Sequence, residues 1–333
     1  MKLGICYPYE LEPQAALDLV RTCDARGLDS VWIVENPGWP GAFSTAGAVA
    51  AVTRKALVSI GIVSAFTRAP AVIAVEAGQL QKISAGRFRL GIGVGPNRVL
   101  ANFGIDTKHP VEGIAETIEV LRPLLAGGVA THQGPRHTVR DFKVTFGFDA
   151  PSIHIGTIGP KMTALAGRVA DGVIISTHVP AGMMKEIVTT VGNAARSAGR
   201  DVKSVHITAF VVACFRKNVG EARDALRPRL AIDIARVARN VPTSVEMFVS
   251  AGLEEAKIRT LIAAERPADI RHLIDDKVVD ALCFAGNATD FQRRLVEMRA
   301  LGVDEVVLFQ APEEEGFMEH LDGLIAATKN AEI

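Results

Sequence analysis

Thr157-Ile158-Gly159-Pro160 is the stretch of this chain best suited to hold a charged ligand. The apolar run Ile153–Ile155 ends on Gly156 just before it, and Met162, Leu165, Ala166 and Val169 follow at i, i+3, i+4, i+7, one face of a helix. Proline suits the first helical position, because its fixed φ matches the helix and its missing N–H had no partner there. A turn that opens a helix leaves backbone N–H groups unsatisfied at the positive end of the helix dipole, where anions bind. Gly156, Thr157 and Gly159 are small enough to let a phosphate reach the main chain, although a tight turn without a ligand would use the same residues. Asp171-Gly172 then leads to a second apolar run, Val173–Ile175, so the unit reads strand–helix–strand with a parallel pair.

Few other side chains offer acid, base or metal chemistry. Glu35-Asn36 follows the apolar run Ser30–Val34, and Glu35 is the one obvious ionisable candidate, unless it is a solvated loop carboxylate or a helix cap. Asn36 can hydrogen-bond a ring carbonyl or hydroxyl but cannot give up a proton near neutral pH. His132 and His137 sit across a turn that reads as exposed, a better match to a surface turn than to a metal site. His178 follows Val173–Ile175 and could meet a substrate, but reads as a solvated loop histidine. Trp39 and Phe66 are candidate pocket walls, Trp39 the stronger because its Pro/Gly loop offers little core to join; Cys6 reads as packing.

The elements that must position these residues alternate along the chain. Leu3–Tyr7 reads as a first strand, and a helix from Pro13 carries Leu17, Val20 and Cys23 or Asp24 to a stop at Gly27. Ser30–Val34 is a second strand, opening into a loop from Glu35 to Pro40. Ala46–Val52 is a short helix, Val58–Val63 a third strand, and Pro70 starts a helix that stops at Gly86. Phe88–Ile92 is a fourth strand with a glycine-rich end (Gly91, Gly93, Gly95) and no helix directly behind it. A helix spans Val111–Ala126. Residues 127–150 break the alternation, with His132–Arg136 as a hairpin turn and Asp141–Val144 as an exposed strand, and form an insertion. The opening unit supplies strands five and six, Gly182–Ser197 a helix, and His206–Phe215 the seventh strand. Residues 240–285 are polar and helical without a clear strand. Thr289-Asp290-Phe291-Gln292 fits a capping box for a helix that runs to Gly302, and Glu305–Phe309 is the eighth strand before a closing helix.

Eight parallel strands alternating with helices predict an α/β fold, a (β/α)8 TIM barrel with one insertion at about 127–150 and extra helices before the last strand, as one domain over 1–333. A doubly wound sheet would need a dinucleotide fingerprint after its first strand, and Cys6-Tyr7-Pro8-Tyr9 contains no glycine. In a barrel the chemistry gathers at the C-terminal ends of the strands. Those ends hold Cys6-Tyr7, Glu35-Asn36, Ser64, Gly95-Pro96-Asn97, Thr157-Ile158-Gly159, Ser176-Thr177-His178, Phe215 and Gln310. They carry no metal-ligand cluster, no Schiff-base lysine and no acid pair, which argues against a barrel lyase or isomerase. Such a site suits chemistry supplied by a cofactor.

The totals narrow the partners. Lys+Arg and Asp+Glu both number 37 in 333 residues, so no overall field favours nucleic acid or an anionic membrane surface. No window of about 18 apolar residues suggests a membrane span. Four cysteines lie far apart without a CxxC pair and read as buried reduced thiols. The start, MKLGICYPY, enters a strand without a signal-peptide core, so a cytoplasmic location is expected.

Four stretches resemble the bacterial-luciferase-like superfamily, in the branch of coenzyme F-420-dependent reductases that includes methylenetetrahydromethanopterin reductase. They are Gly27–Glu35 (GLDSVWIVE), Gly61–Pro70 leading to Gly86–Gly93, Ile155–Gly172 with its GPKM…LAG…ADG pattern, and Gly286–Leu308. The resemblance implies a non-prolyl cis peptide at Gly61-Ile62 on a bulged third strand, with the cofactor ring against it. It also implies a cofactor phosphate on the backbone of Thr157, Ile158 and Gly159. Ser64 and Asn97, at neighbouring strand ends, join these as expected cofactor contacts, and Glu35 and Asn36 as the catalytic candidates. Many relatives carry an Asp-His pair where this chain has Glu35-Asn36, and carboxylates where it has Cys6 and Pro96. The function so implied is hydride transfer between coenzyme F-420, a deazaflavin, and a small organic substrate. An FMN-dependent luciferase-like monooxygenase or a non-catalytic cofactor-binding member is the alternative. A homodimer is expected from the same resemblance.

Overall fold

The computed structural model describes residues 1–241, 244–310 and 316–330. The apolar runs fold as strands β1 (Lys2–Cys6), β2 (Ser30–Ile33), β3 (Leu57–Ser64), β4 (Phe88–Gly93), β5 (Ala130–Gln133), β6 (Thr138–Phe142), β7 (Ser152–Thr157), β8 (Gly172–Ile175), β9 (His206–Phe215), β10 (Cys283–Gly286) and β11 (Glu305–Phe309). The main sheet runs β10-β9-β11-β1-β2-β3-β4-β7-β8, and β8 also pairs with β9. That closes an eight-stranded parallel barrel of β1, β2, β3, β4, β7, β8, β9 and β11 with flanking helices, the α/β fold expected. Its strands are buried along most of their length, so they read as continuous apolar runs rather than alternating ones.

Four expectations need correction. Residues 283–286 form β10, which pairs with the last four residues of the ten-residue β9 while Thr208–Val212 of β9 pairs with β11. Four residues are too few to show a period, and only the long partner strand reveals the pairing. A six-residue helix, Asn97–Asn102, does open behind the glycine-rich end of β4, burying Leu100. The capping box lies two residues earlier than read: Asn287 accepts from the N–H groups of Thr289 and Asp290, and Asp290 accepts from that of Asn287. The insertion folds as the antiparallel β5–β6 hairpin, with its strands nearer the turn than the sequence suggested. No helix of the described residues is long and apolar enough to cross a membrane.

The chain divides into two compact units, one of Met1–Glu10, Ile175–Val188 and Thr208–Ile333, the other of Leu11–Ile174 and Thr189–Ile207. Within the second, two carboxylates fasten loops. Asp171 accepts a bidentate pair from Arg122 (2.7 and 2.9 Å) and the N–H of Ile153 (2.8 Å). Asp24, only 5% exposed, accepts from the backbone N–H groups of Arg54 (2.7 Å), Lys55 (2.9 Å) and Ala56 (2.6 Å), fixing the turn that launches β3. Burial pushes the Asp24 pKa up, but these three bonds and the charge of Arg87 outweigh it and hold the carboxyl below its ordinary value. The folded state therefore gains from this group above the ordinary carboxylate pKa and loses that gain as pH falls through the lowered one. Asp24→Ala should cost about 3 kcal/mol in urea denaturation at neutral pH, since three backbone donors lose a charged acceptor. Asp24→Asn should flatten the acid side of the stability–pH curve.

Candidate functional site

The third strand departs from regular pairing in the middle of the main sheet. Its register against β4 shifts between Ile60 and Val63, and the Gly61-Ile62 peptide within the bulge is cis. Three glycines on the neighbouring strands make room for it. A Cβ on Gly91 would fall 2.0 Å from the Ile60 carbonyl oxygen. One on Gly93 would fall 3.0 Å from the end of the Ile62 side chain, and one on Gly156 would fall 2.9 Å from its Cγ2. The side chain at the bulge thus lies over a floor with no side chains of its own.

The Thr157–Gly159 turn lies at the end of β7, beyond Gly156. Thr157 is buried, its hydroxyl donating to the Gly159 carbonyl (3.2 Å) or sharing a proton with Thr163 Oγ1 (2.9 Å), and Thr163 Oγ1 also reaches that carbonyl (2.9 Å). The helix Pro160–Val169 makes its first backbone bond from Thr163 N to Gly159 O. The N–H groups of Lys161 and Met162 precede that bond, as first-turn amides do. An added Cβ on Gly159 would meet nothing within 4 Å, so space stands open at the helix start. The residues fit a phosphate.

Ser64 closes β3, its hydroxyl donating to the Val94 carbonyl (2.6 Å) and accepting from Phe66 N (3.2 Å). Gly95 comes within 3.4 Å of the Ser64 Cβ by the same measure. Asn97 opens the short helix behind β4 and is exposed. Asn36 is half-buried, its carbonyl accepting from Trp39 N (2.9 Å), and the Trp39 side chain is largely exposed.

Glu35 is not a lone loop carboxylate. Arg68 donates to both of its oxygens at 2.7 Å, a bidentate pair. The same guanidinium has Glu76 Oε2 3.7 Å from its Nε and the Phe43 ring 5.5 Å away. Two carboxylates thus share one cation. Burial raises the Glu76 pKa, Arg68 lowers it and Glu35 raises it again, for a net increase.

His178 is not a solvated loop residue. It is 2% exposed at positive φ (65°), with Nε2 3.1 Å from Asp233 Oδ2 and Nδ1 3.9 Å from Cys283 Sγ. Arg229 and Arg236 also donate to Asp233 (2.9 and 2.8 Å). Burial raises the pKa of Asp233, but His178 and the two arginines outweigh it and hold the carboxyl well below the ordinary range. The partner lies 55 residues away in sequence, beyond the reach of a local reading. His132 and His137 engage Glu116 (3.1 Å) and Thr117 (3.2 Å). A cavity of about 810 Å³ lies in the first unit among Asp224, Arg227 and Asp276, whose charges already pair with one another.

Residues 1–305 match the model of the luciferase-like monooxygenase family. The chain belongs to the luciferase-like monooxygenase family. Among its relatives, the 5,10-methylenetetrahydromethanopterin reductase of Methanolobus tindarius is 30% identical over 292 residues, covering 86% of this chain and 87% of that one. The solved coenzyme F-420-dependent tetrahydromethanopterin reductase from Methanopyrus kandleri aligns with a TM-score of 0.84 at 21% identity, over 98% of this chain and 97% of the other. An F-420-dependent secondary alcohol dehydrogenase, solved with an F-420–acetone adduct, aligns with a TM-score of 0.80 at 18% identity over 98% of both chains. At these identities the two structures speak to the fold. A luciferase-like family member of this kind is an oxidoreductase.

All the residues singled out for this luciferase-like site lie in one unit, Leu11–Ile174 with Thr189–Ile207. Sequence reasoning passed over Arg68 and Glu76. Arg68 stands in the Arg68-Ala69-Pro70 motif of the resembling segment, so a signal was present; Glu76 had none. The shared guanidinium gives opposite expectations for the two acids. Glu35→Gln should lower stability by about 1–2 kcal/mol, since a bidentate, half-buried partner is lost. Glu76→Gln should be neutral or slightly stabilising at pH 7, because a carboxyl whose pKa is raised on folding costs stability once ionised. Parallel urea curves would show both.

Proposed function

We propose that this protein transfers a hydride between coenzyme F-420 and a small organic substrate. The observation that carries this reading is the pairing, within one unit, of an open amide-lined turn at Thr157–Gly159 with the glycine-floored bulge at Gly61-Ile62. The first matches an anionic tail and the second a flat ring. A bound deazaflavin supplies the hydride chemistry that the side chains here lack. In this reading Thr157, Ile158 and Gly159 hold the phosphate by main-chain groups, and Gly61 and Ile62 back the ring. Ser64 and Asn97 border it, and Asn36 hydrogen-bonds its polar edge. Glu35 acts at the ring end through Arg68, whose orientation it fixes. The whole chain, 1–333, serves as one luciferase-like domain in a cytoplasmic protein, in keeping with four buried cysteines outside any disulfide.

FMN is the second cofactor to test, because the matched family is that of luciferase-like monooxygenases. Purified protein should be colourless, and its thermal midpoint should rise with F-420 and not with FMN. A ligand specific to the native state adds about 2.7 kcal/mol at one hundred times its Kd. A yellow protein with a flavin spectrum would reverse the cofactor assignment. Gly156→Ala should weaken F-420 binding at least tenfold in a fluorescence titration, since its Cβ displaces Ile62. The first substrate to assay is 5,10-methylenetetrahydromethanopterin, which names the relative reported above. Binding without turnover on pterins, ketones and imines would favour a non-catalytic role.

The same proposal includes a homodimer. On the helix Pro70–Ile83, Val72, Val75 and Ile83 are exposed at 50%, 37% and 44%, a stripe along one face. Val75→Glu should shift the protein to a monomer in analytical ultracentrifugation while leaving its far-UV circular dichroism unchanged.

A further inference from the structure

The insertion is fastened to the barrel by one buried carboxylate. Glu116, on the helix Pro110–Leu125, is 8% exposed. It accepts from the backbone N–H groups of Arg136 (3.2 and 3.3 Å) and His137 (2.8 Å) at the hairpin turn. It also accepts from Nε2 of His132 (3.1 Å), which must carry the proton because a carboxylate can only accept. One residue on, the Thr117 hydroxyl donates to the Gly113 carbonyl (2.8 Å), so its oxygen accepts from His137 Nε2 (3.2 Å). The turn closes with Gly134 N donating to His137 O (2.9 Å).

Glycines mark how closely these parts approach. A Cβ on Gly134 would fall 2.1 Å from Glu116 Oε1 and 2.5 Å from His132 Nε2. One on Gly113 would fall 2.8 Å from Phe66 Cζ and 2.9 Å from Arg136 Nε. One on Gly78 would fall 2.5 Å from the ring of Phe148, where the insertion leaves the hairpin.

From the fastened turn, Arg136 reaches two segments. Its guanidinium lies 4.4 Å from the Phe66 ring centre, and it donates to the carbonyls of Asp106 (3.2 Å) and Lys108. Phe66 follows two residues after Ser64, the end of the bulged strand, and its N–H donates to the Ser64 hydroxyl. Residues 106–108 follow the short helix that Asn97 opens. Both segments line a cavity of about 720 Å³ in this unit, together with Arg68, His109 and His137.

We propose that the insertion is a strap that orders the ring end of the site, with Glu116 its positioning residue and Arg136 the side chain through which it acts. This rests on the cofactor reading above. Glu116 holds the turn, the turn aims Arg136, and Arg136 sets Phe66 and the 106–108 backbone, which hold Ser64 and the cavity wall in place.

Glu116→Gln, Arg136→Ala, Arg136→Lys, the Glu116→Gln/Arg136→Ala double variant and a control, Glu119→Gln on an exposed part of the same helix, would be compared. The readouts are F-420 fluorescence titration and amide hydrogen exchange. Glu116→Gln and Arg136→Ala should each weaken F-420 binding about tenfold. Because both act through one contact, the double variant should be no worse than the weaker single. Arg136→Lys, which keeps a cation over Phe66, should recover part of the loss, and Glu119→Gln should match the wild type. Exchange should quicken in 65–69 and 103–109 and stay unchanged in Phe88–Gly93. If Glu116→Gln lowers the melting temperature but leaves F-420 affinity and exchange in 65–69 at wild-type values, the hairpin is only structural and the proposal falls. Additive losses in the double variant would overturn it too. Wild-type protein that binds no F-420 would instead sink the cofactor reading, and exchange in 65–69 would still decide the strap.

Discussion

The close seating of Ile62 over Gly93 and Gly156 is the contact on which the rest of the site depends. A bulge in a central strand displaces backbone and side chain alike, and the strands on the displaced side, here β4 and β7, must give way. Here they give way by having no side chains: Gly91 clears the Ile60 carbonyl, and Gly93 and Gly156 clear Ile62 itself. The glycine-rich end of β4 is explained by this contact, without any nucleotide fingerprint. The same clearing carries β7 past the bulge to Thr157, which places the amide-lined turn and the bulge in one compact unit.

Around that floor the electrostatics are closed on themselves. Arg68 is held by Glu35 and approached by Glu76 and Phe43, while the turn of the hairpin is held by Glu116. A chain with equal numbers of acidic and basic residues has no global field with which to draw in an anion. Any attraction for a phosphate would have to come from local dipoles, such as those of first-turn amides beside a glycine. The low supply of unpaired acids and bases at the strand ends then follows: the polar groups near the bulge mostly orient each other.

Much of this was legible in the sequence, and the reasons are local. The Pro160 helix start, the amphipathic stripe behind it and the flanking apolar runs are signals within a few residues of one another, and the barrel followed from their repetition. The bulge at Gly61-Ile62 was placed by resemblance, with glycine spacing as its only local trace. The unread parts depend on partners distant in the chain. His178 meets Asp233 across 55 residues, Glu35 meets Arg68 across 33, and Glu116 meets His137 across 21. β10 is four residues long and visible only beside β9. Asn287 and Thr289 are both good capping residue types, and only the reciprocal bond between Asp290 and the Asn287 backbone shows that Asn287 is the cap.

The four thiols have a practical consequence for work on this enzyme. All are buried and none forms a disulfide, and burial pushes the Cys23 thiol up to about 12 and the Cys283 thiol higher still. Thiolates, not thiols, react with maleimides and peroxides, so the folded chain presents almost no target to either reagent. Labelling by such reagents therefore works as a clock for opening of the protein, one that any ligand of the native state slows.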